Sequence, residues 1–224
     1  MALFDAFASN YHQLVTENVR ISGESSDYFA AYKADYIARR VAPAAGERLL
    51  DYGCGVGLIC GHLKRRLPKV QIHGFDISQE SVARVDRSLQ SQGIFTSNLK
   101  ELGRAYDFIV ISNVLHHVEP TERAELIEEA CSLLANSGKL VVFEHNPINP
   151  LTRWAVSQCA FDDGVVLLPS RESLFYVRRV GFRVLWRDYI VFFPRWLAWL
   201  RPLEPVLQWC PLGAQYAVVV ERRS

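Results

Sequence analysis

The chain carries no strong charge of either sign: 25 Lys and Arg stand against 24 Asp and Glu, a formal net charge of +1. A polyelectrolyte partner is therefore not implied, and nucleic acid is not expected as one. Basic residues cluster only in short pairs such as Arg65-Arg66 and Arg178-Arg179. Cysteine is scarce and odd in number. Cys54, Cys60, Cys131, Cys159 and Cys210 are scattered, with no Cys-x-x-Cys pair, so neither a zinc site nor a disulfide framework is indicated. No uninterrupted apolar run approaches the ~20 residues of a membrane span. The opening Met1-Ala2-Leu3-Phe4-Asp5 has no basic stretch and no long apolar stretch. A secretory leader is not expected, and the cytoplasm is the default location for reduced thiols. No internal repeat and no low-complexity segment stands out.

What remains is an ordinary globular composition. Half of the 224 residues are hydrophobic and 22% are charged, enough for one α/β domain with a sizeable core and a small appendage. The chain is organised around Leu49-Leu50-Asp51-Tyr52-Gly53-Cys54-Gly55-Val56-Gly57-Leu58. This reads as a buried strand, a glycine-rich turn and a helix running to about Leu67. Gly53, Gly55 and Gly57 lack Cβ atoms, so the turn can be tight and a ligand can lie against bare backbone. The helix N-terminus behind it presents unpaired N–H groups. Such a turn after the first strand of an α/β sheet is a nucleotide-cofactor site.

The dinucleotide fingerprint is Gly-x-Gly-x-x-Gly, whereas position 58 here is Leu and an acid, Asp51, precedes the first glycine. A second strand, Val70 to Asp76, ends in a carboxylate that can accept both hydroxyls of a ribose, a feature NAD sites share. The pattern strongly resembles motif I of the class I S-adenosylmethionine (SAM) dependent methyltransferases. The resemblance implies a Rossmann-like, doubly wound seven-stranded α/β sheet, mostly parallel with an antiparallel seventh strand and helices on both faces. It implies SAM as cofactor and S-adenosylhomocysteine as its product. The implied cofactor set is Asp51, Gly53, Cys54, Gly55, Gly57, Asp76, Ile77, Asn98, Leu99, Asn113 and Tyr11. Many family members have Asp near position 98, and Asn98 keeps an acceptor oxygen without the charge. The competing readings are an NAD enzyme, a SAM-binding protein without transferase activity, and a glycine turn that binds nothing.

The rest of the chain fits this frame. Phe4, Phe7, Tyr11, Leu14 and Val15 predict a helix over residues 4–19, and Tyr28, Phe29, Tyr32, Tyr36 and Ile37 another over 26–41. Together they form a helical cap over residues 1–45. Tyr11, Tyr28 and Tyr32 are candidate contacts to cofactor or substrate, against the simpler reading of a docking stripe. The cofactor-binding core spans 46–150. Ser78 is a natural N-cap for a helix over 79–91, and a third strand follows at 94–98. Tyr106 to Ser112 reads as a doubly covered strand. A helix from Thr121 to Ala135 puts Glu122, Glu125, Glu128 and Glu129 on a solvated face. Lys139 to Glu144 is the fifth strand. Residues 151–170 read as irregular, 172–180 as a helix, and 182–193 and 215–221 as strands that complete the sheet.

Alternating strands and helices gather ligands at the strand carboxyl ends. The candidate base there is His117, then His116, because imidazole titrates near neutrality. His145 is a further candidate, with Glu144 to orient it or accept a proton. Asn113 and His116 stand where magnesium-using quinone O-methyltransferases carry Glu, and hard cations need carboxylate oxygens, so no metal is expected. Arg153 is a candidate partner for an anionic substrate group. Residues 194–213 hold Trp196, Trp199 and Trp209, read as a lid or core packing, or as a peripheral contact with a membrane. The expected activity is methyl transfer to a small-molecule acceptor. The alternative acceptor is a lipid or lipid-linked sugar at a membrane surface.

Overall fold

A computed structural model of the protein describes residues 22–158 and 164–222. The helix expected over residues 4–19, and Tyr11 with it, lies outside the described residues.

Seven strands form one sheet: β1 (Arg48–Tyr52), β2 (Gln71–Phe75), β3 (Phe95–Thr96), β4 (Tyr106–Ser112), β5 (Leu134–His145), β6 (Phe182–Ile190) and β7 (Gln215–Arg222). Their order is β3-β2-β1-β4-β5-β7-β6. The first five pair parallel, and β7 runs antiparallel between β5 and β6. This is the expected Rossmann-like sheet. Its continuous apolar strands follow from having a core on each face. Leu49, Phe108 and Val110 enter one core, with Ala34 and Tyr36 from helix α1 (Ser26–Tyr36) and Leu63 from α2 (Leu58–Arg66). Their neighbours Leu50, Ile109 and Ile111 enter the other, with Ile127 from α5 (Arg123–Ser132) and Val177 from α7 (Ser170–Arg179). Alternate side chains of a strand point to opposite faces, so a doubly covered strand is apolar along its central run, as Phe108 to Ile111 are in β4.

Several expectations need correction. The helix over 79–91 is two pieces, α3 (Gln79–Ala83) and α4 (Arg87–Gln90). Ser78 caps the first as expected, accepting the Ser81 N–H. The break comes at Val85, which is buried against Gly57, and Asp86 recaps the chain by accepting the Ser88 N–H. The helix expected over 121–135 spans only Arg123–Ser132, and β5 begins early, at Leu134. Residues 151–158 are not irregular: α6 (Pro150–Ser157) starts there, capped by Asn149 Oδ1 on the N–H groups of Leu151 and Thr152. Asn before Pro at a first helical position was a legible start signal.

The insertion between β6 and β7 is a kinked 3₁₀ segment, Arg195–Leu203, followed by α8 (Glu204–Leu207). Trp196, Trp199 and Trp209 are all exposed, so they do not pack in the core. Among the described residues, no helix is long and apolar enough to cross a membrane.

Candidate active site

The carboxyl ends of β1, β2, β4 and β5 open onto one cavity of about 610 Å³. One wall is backbone. The N–H groups of Gly53 and Cys54 both donate to the Phe75 carbonyl, at 2.7 and 2.9 Å, which pins the turn to the end of β2. Gly53 has φ +89°, and a Cβ there would come within 2.3 Å of Val114 Cγ2. Nothing lies within 4 Å of the Cβ position of Gly55, so its backbone faces open space. The Gly55 N–H donates to Asp76 Oδ2 at 2.7 Å, and Asp76 Oδ1 accepts the Ser78 N–H at 2.9 Å. Ile77, largely exposed, stands at the rim beside Leu99. Cys54 lines the cavity, its thiol pushed well up by burial and by Asp51 and Asp76.

Two predicted positions do other work. Gly57 does not line the cavity; it starts α2 in a left-handed conformation and packs on Val85. Asn98 is exposed and also absent from the lining. Its Oδ1 accepts the Lys100 N–H and its amide donates to Glu101, so it caps the short turn Leu99–Glu101. A side chain used locally in this way is turned from the pocket.

The other wall is buried charge. Asp51 is 1% exposed; its Oδ2 accepts from the Cys60 thiol at 3.3 Å and its Oδ1 has no partner. Burial raises its pKa to about 7, with Asp76 adding to the rise and Cys60 and Lys33 opposing it. Lys33, on α1, is 4% exposed and donates to Ser112 Oγ at 2.8 Å. Burial lowers its pKa to about 8, while Glu144 and Asp51 hold it up. Asn113 follows β4 in a left-handed conformation, φ +56°, and its Oδ1 is buried without a partner.

Glu144, at the end of β5, organises the next turn. Its Oε1 accepts the Leu115 N–H at 2.8 Å and its Oε2 lies 2.6 Å from His116 Nδ1. Burial alone would raise its pKa, but His116, His145 and the Leu115 N–H outweigh that and hold it below the usual carboxylate range. An ionised carboxylate can only accept, so His116 Nδ1 carries the proton in this bond. The His117 ring stands 4.1 Å from His116 and the His145 ring 5.1 Å. The four predicted residues are thus brought together, with His116, rather than His117, on the carboxylate. Arg123, fully buried, clamps the same turn by donating to the carbonyls of Leu115 and Val118.

Tyr28 and Tyr32 do not reach the cavity. Tyr28 lies under Arg201 at 4.4 Å, and Tyr32 packs toward Glu204. The residues of α1 that line the cavity are Ser26, Phe29, Ala30 and Lys33. Lys33 was the missed signal: it lies four residues after Phe29 and three before Tyr36, on the apolar stripe, where a lysine needs a reason. Glu129 lies on the solvated face, as expected. Although exposed, it lines the cavity and accepts from the Tyr52 hydroxyl. Arg153 is exposed on α6 and does not line the cavity.

The geometry suits a cofactor with a ribose and an amino-acid tail. A glycine turn bares its backbone, Asp76 stands at the end of β2, and Asp51 and Asn113 each hold an unpaired oxygen.

Comparison with known proteins points the same way. A methyltransferase-domain family model matches residues 26–185. The ribosomal RNA small subunit methyltransferase C of Aliivibrio fischeri is 27% identical over 139 residues, covering 57% of this chain and 40% of that protein. The chain therefore spans well under half the length of that relative. Magnesium protoporphyrin IX methyltransferase from Synechocystis PCC 6803, solved with bound S-adenosylhomocysteine, superposes with a TM-score of 0.68. That match is at 15% identity over 98% of this chain and 96% of that one. The [4+2]-cyclase SpnF superposes with a TM-score of 0.61, at 20% identity over 86% of this chain and 81% of that one.

Proposed function

We propose a small-molecule acceptor for this chain, which belongs to the class I SAM-dependent methyltransferases, and we propose His116 as the base that prepares that acceptor. The cofactor is SAM, and the NAD reading falls with that. SAM supplies a methyl group on a sulfonium, open to in-line displacement. Every other requirement falls on the protein.

Asp76 and the Gly55 backbone would take the ribose. Asp51, Asn113 and Lys33 would take the amino-acid tail, the Lys33 ammonium facing its carboxylate and the Asp51 and Asn113 oxygens its ammonium. This reading gives the orphaned oxygens partners and offsets the cost of burying Lys33 and Asp51 together. Holding a nucleophile about 3 Å from the methyl carbon can supply ~7–11 kcal/mol of barrier lowering. A hydroxyl or protonated amine also needs its proton removed. Glu144 fixes the His116 tautomer so that Nε2 is the acceptor, the arrangement in which a carboxylate orients an imidazole base. Of the predicted quartet, His117 and His145 then flank the base, and Glu144 positions it.

The observation that carries the reading is the opening of both the glycine turn and His116, held from behind by Glu144, onto one cavity. A cavity of about 610 Å³ lies in the range that fits small ligands. The near-neutral net charge also favours a small acceptor over nucleic acid. The second reading is an RNA acceptor, favoured by the name of the Aliivibrio relative. Calorimetry with SAM and S-adenosylhomocysteine, followed by methyl-label transfer to small hydroxyl compounds and to ribosomal RNA, separates the two. Label on RNA alone overturns the small-acceptor proposal. SAM binding without label on any acceptor leaves the protein a binder without transferase chemistry. Loss of SAM binding in Asp51→Asn and Asp76→Ala is expected; unchanged affinity in both overturns the assigned cofactor contacts.

A further inference from the structure

Residues 192–214 make no contribution to the cavity lining, yet their side chains are ordered in an unusual way. Trp196, Trp199, Leu203, Val206, Trp209 and Leu212 recur every three or four residues, and all six are exposed, the indoles by 70, 74 and 76%. This is an apolar stripe turned outward, carried by the 3₁₀ segment, α8 and the turns that follow it. The inward contacts are polar. Glu204 is 3% exposed, and its Oε1 accepts the N–H groups of Phe192 and Phe193 at 3.0 and 3.1 Å. Arg201 donates to Glu24 at 2.6 Å and lies over the Tyr28 ring. An ordinary surface helix has the reverse arrangement.

Helix α6 extends this face. Asn146 donates to the carbonyls of Pro211 and Gly213, Asn149 to that of Leu212, and Thr152 to that of Ala214. These bonds fasten residues 146–152 alongside 211–214. Ile148, Leu151 and Trp154 are each at least half exposed on that neighbouring element. Across 146–158 and 192–214 the one acidic residue is the buried Glu204, while Arg153 and Arg195 are exposed.

We propose that this face docks on an anionic lipid bilayer. An indole is amphipathic and sits stably at headgroup depth. A short helical segment with such a stripe lies in the interface plane rather than crossing it. The exposed arginines of these two segments, which carry no exposed acid, match the sign of anionic headgroups. Ala155 and Val156 of α6 also line the cavity, so the docking face borders it. The proposal does not rest on which acceptor is methylated.

The test is cosedimentation of the full chain with vesicles of phosphatidylcholine alone and of phosphatidylcholine mixed with phosphatidylglycerol, in the absence of SAM. Binding to the mixed vesicles is expected, weakened by salt and accompanied by a blue shift of tryptophan emission. The triple variant Trp196→Ser, Trp199→Ser, Trp209→Ser is expected to lose roughly tenfold or more of that partitioning. Arg153→Gln and Arg195→Gln should each lose roughly fivefold. Because the three indoles are exposed, the triple variant should keep its circular dichroism spectrum and SAM affinity. The proposal is overturned by an absence of sedimentation with either vesicle, or by equal binding to both compositions. Undiminished binding of the triple variant overturns it too. So does a wild-type dimer that the tryptophan substitutions dissociate while no vesicle is bound, since the occupant would then be a second copy of this chain.

Discussion

The two walls of the cavity are built from different materials. The wall at β1 and β2 is backbone: Gly53, Cys54 and Gly55 direct their N–H groups at the Phe75 carbonyl and Asp76. The wall at α1, β4 and β5, joined by Asp51 from β1, is side-chain charge: Asp51, Lys33 and His116 line it with Glu144 behind, all almost wholly buried. The first wall depends on atoms being absent, since a Cβ at Gly53 would strike Val114. The second depends on charges compensating one another, since each is costly alone. The first therefore fails by steric exclusion, and the second by unbalanced charge.

The largest expected effect separates binding from chemistry. His116→Gln should lower kcat by ~100- to 10,000-fold, the usual worth of a general base, while calorimetry shows SAM affinity retained. Equal loss of both would place His116 with the cofactor instead.

The charged wall should also show in stability against pH. Asp51 has a pKa near 7 folded against an ordinary 3.8, so the folded chain binds more protons in that window. Its stability should fall by a few kcal/mol as pH rises from about 4 to about 7. Lys33 has a pKa near 8 folded against 10.5, so stability should rise again between those values. Asp51→Asn should remove the first slope and Lys33→Met the second, read by urea unfolding at a series of pH values. If neither slope changes, the two charges are not buried as described.

On the backbone wall, Gly53→Ala should cost ~1–3 kcal/mol in strain at a left-handed position and should weaken SAM binding, with no change in either pH slope. The smallest effect tests a boundary of the site. Asn98→Ala removes a cap worth about 0.5–1 kcal/mol and should leave SAM affinity unchanged; a large loss of affinity would return Asn98 to the cofactor set.

Legibility in the sequence followed the same division. The glycine turn could be read because its geometry is set by neighbouring residues: Gly53, Gly55 and Asp51 fall within five positions. Strand β4 could be read residue for residue, because the centre of a doubly covered strand is nearly all apolar, here Phe108 to Ile111. Helix α6 was overlooked even though Asn149 and Pro150 signal its start. The split between α3 and α4 was not legible, because it depends on Val85 finding Gly57, 28 positions earlier. Lys33 was hidden for a similar reason. Its charge has a use only through Ser112, Glu144 and Asp51, which lie on other elements. Among the tyrosines, periodicity found the stripe, but which residues of α1 face the cavity was decided by its docking.

The sequence by itself determined the alternation of strands and helices, the family and the cofactor, since these rest on local periodicity and a short contiguous motif. Tertiary structure alone decided that His116 holds the carboxylate, that Lys33 is buried among acids, and that an apolar stripe over 196–212 faces outward. Each of these is a relation between residues distant in the chain. Burial and charge pairing act through space, so only the packed sheet and its helices bring them about.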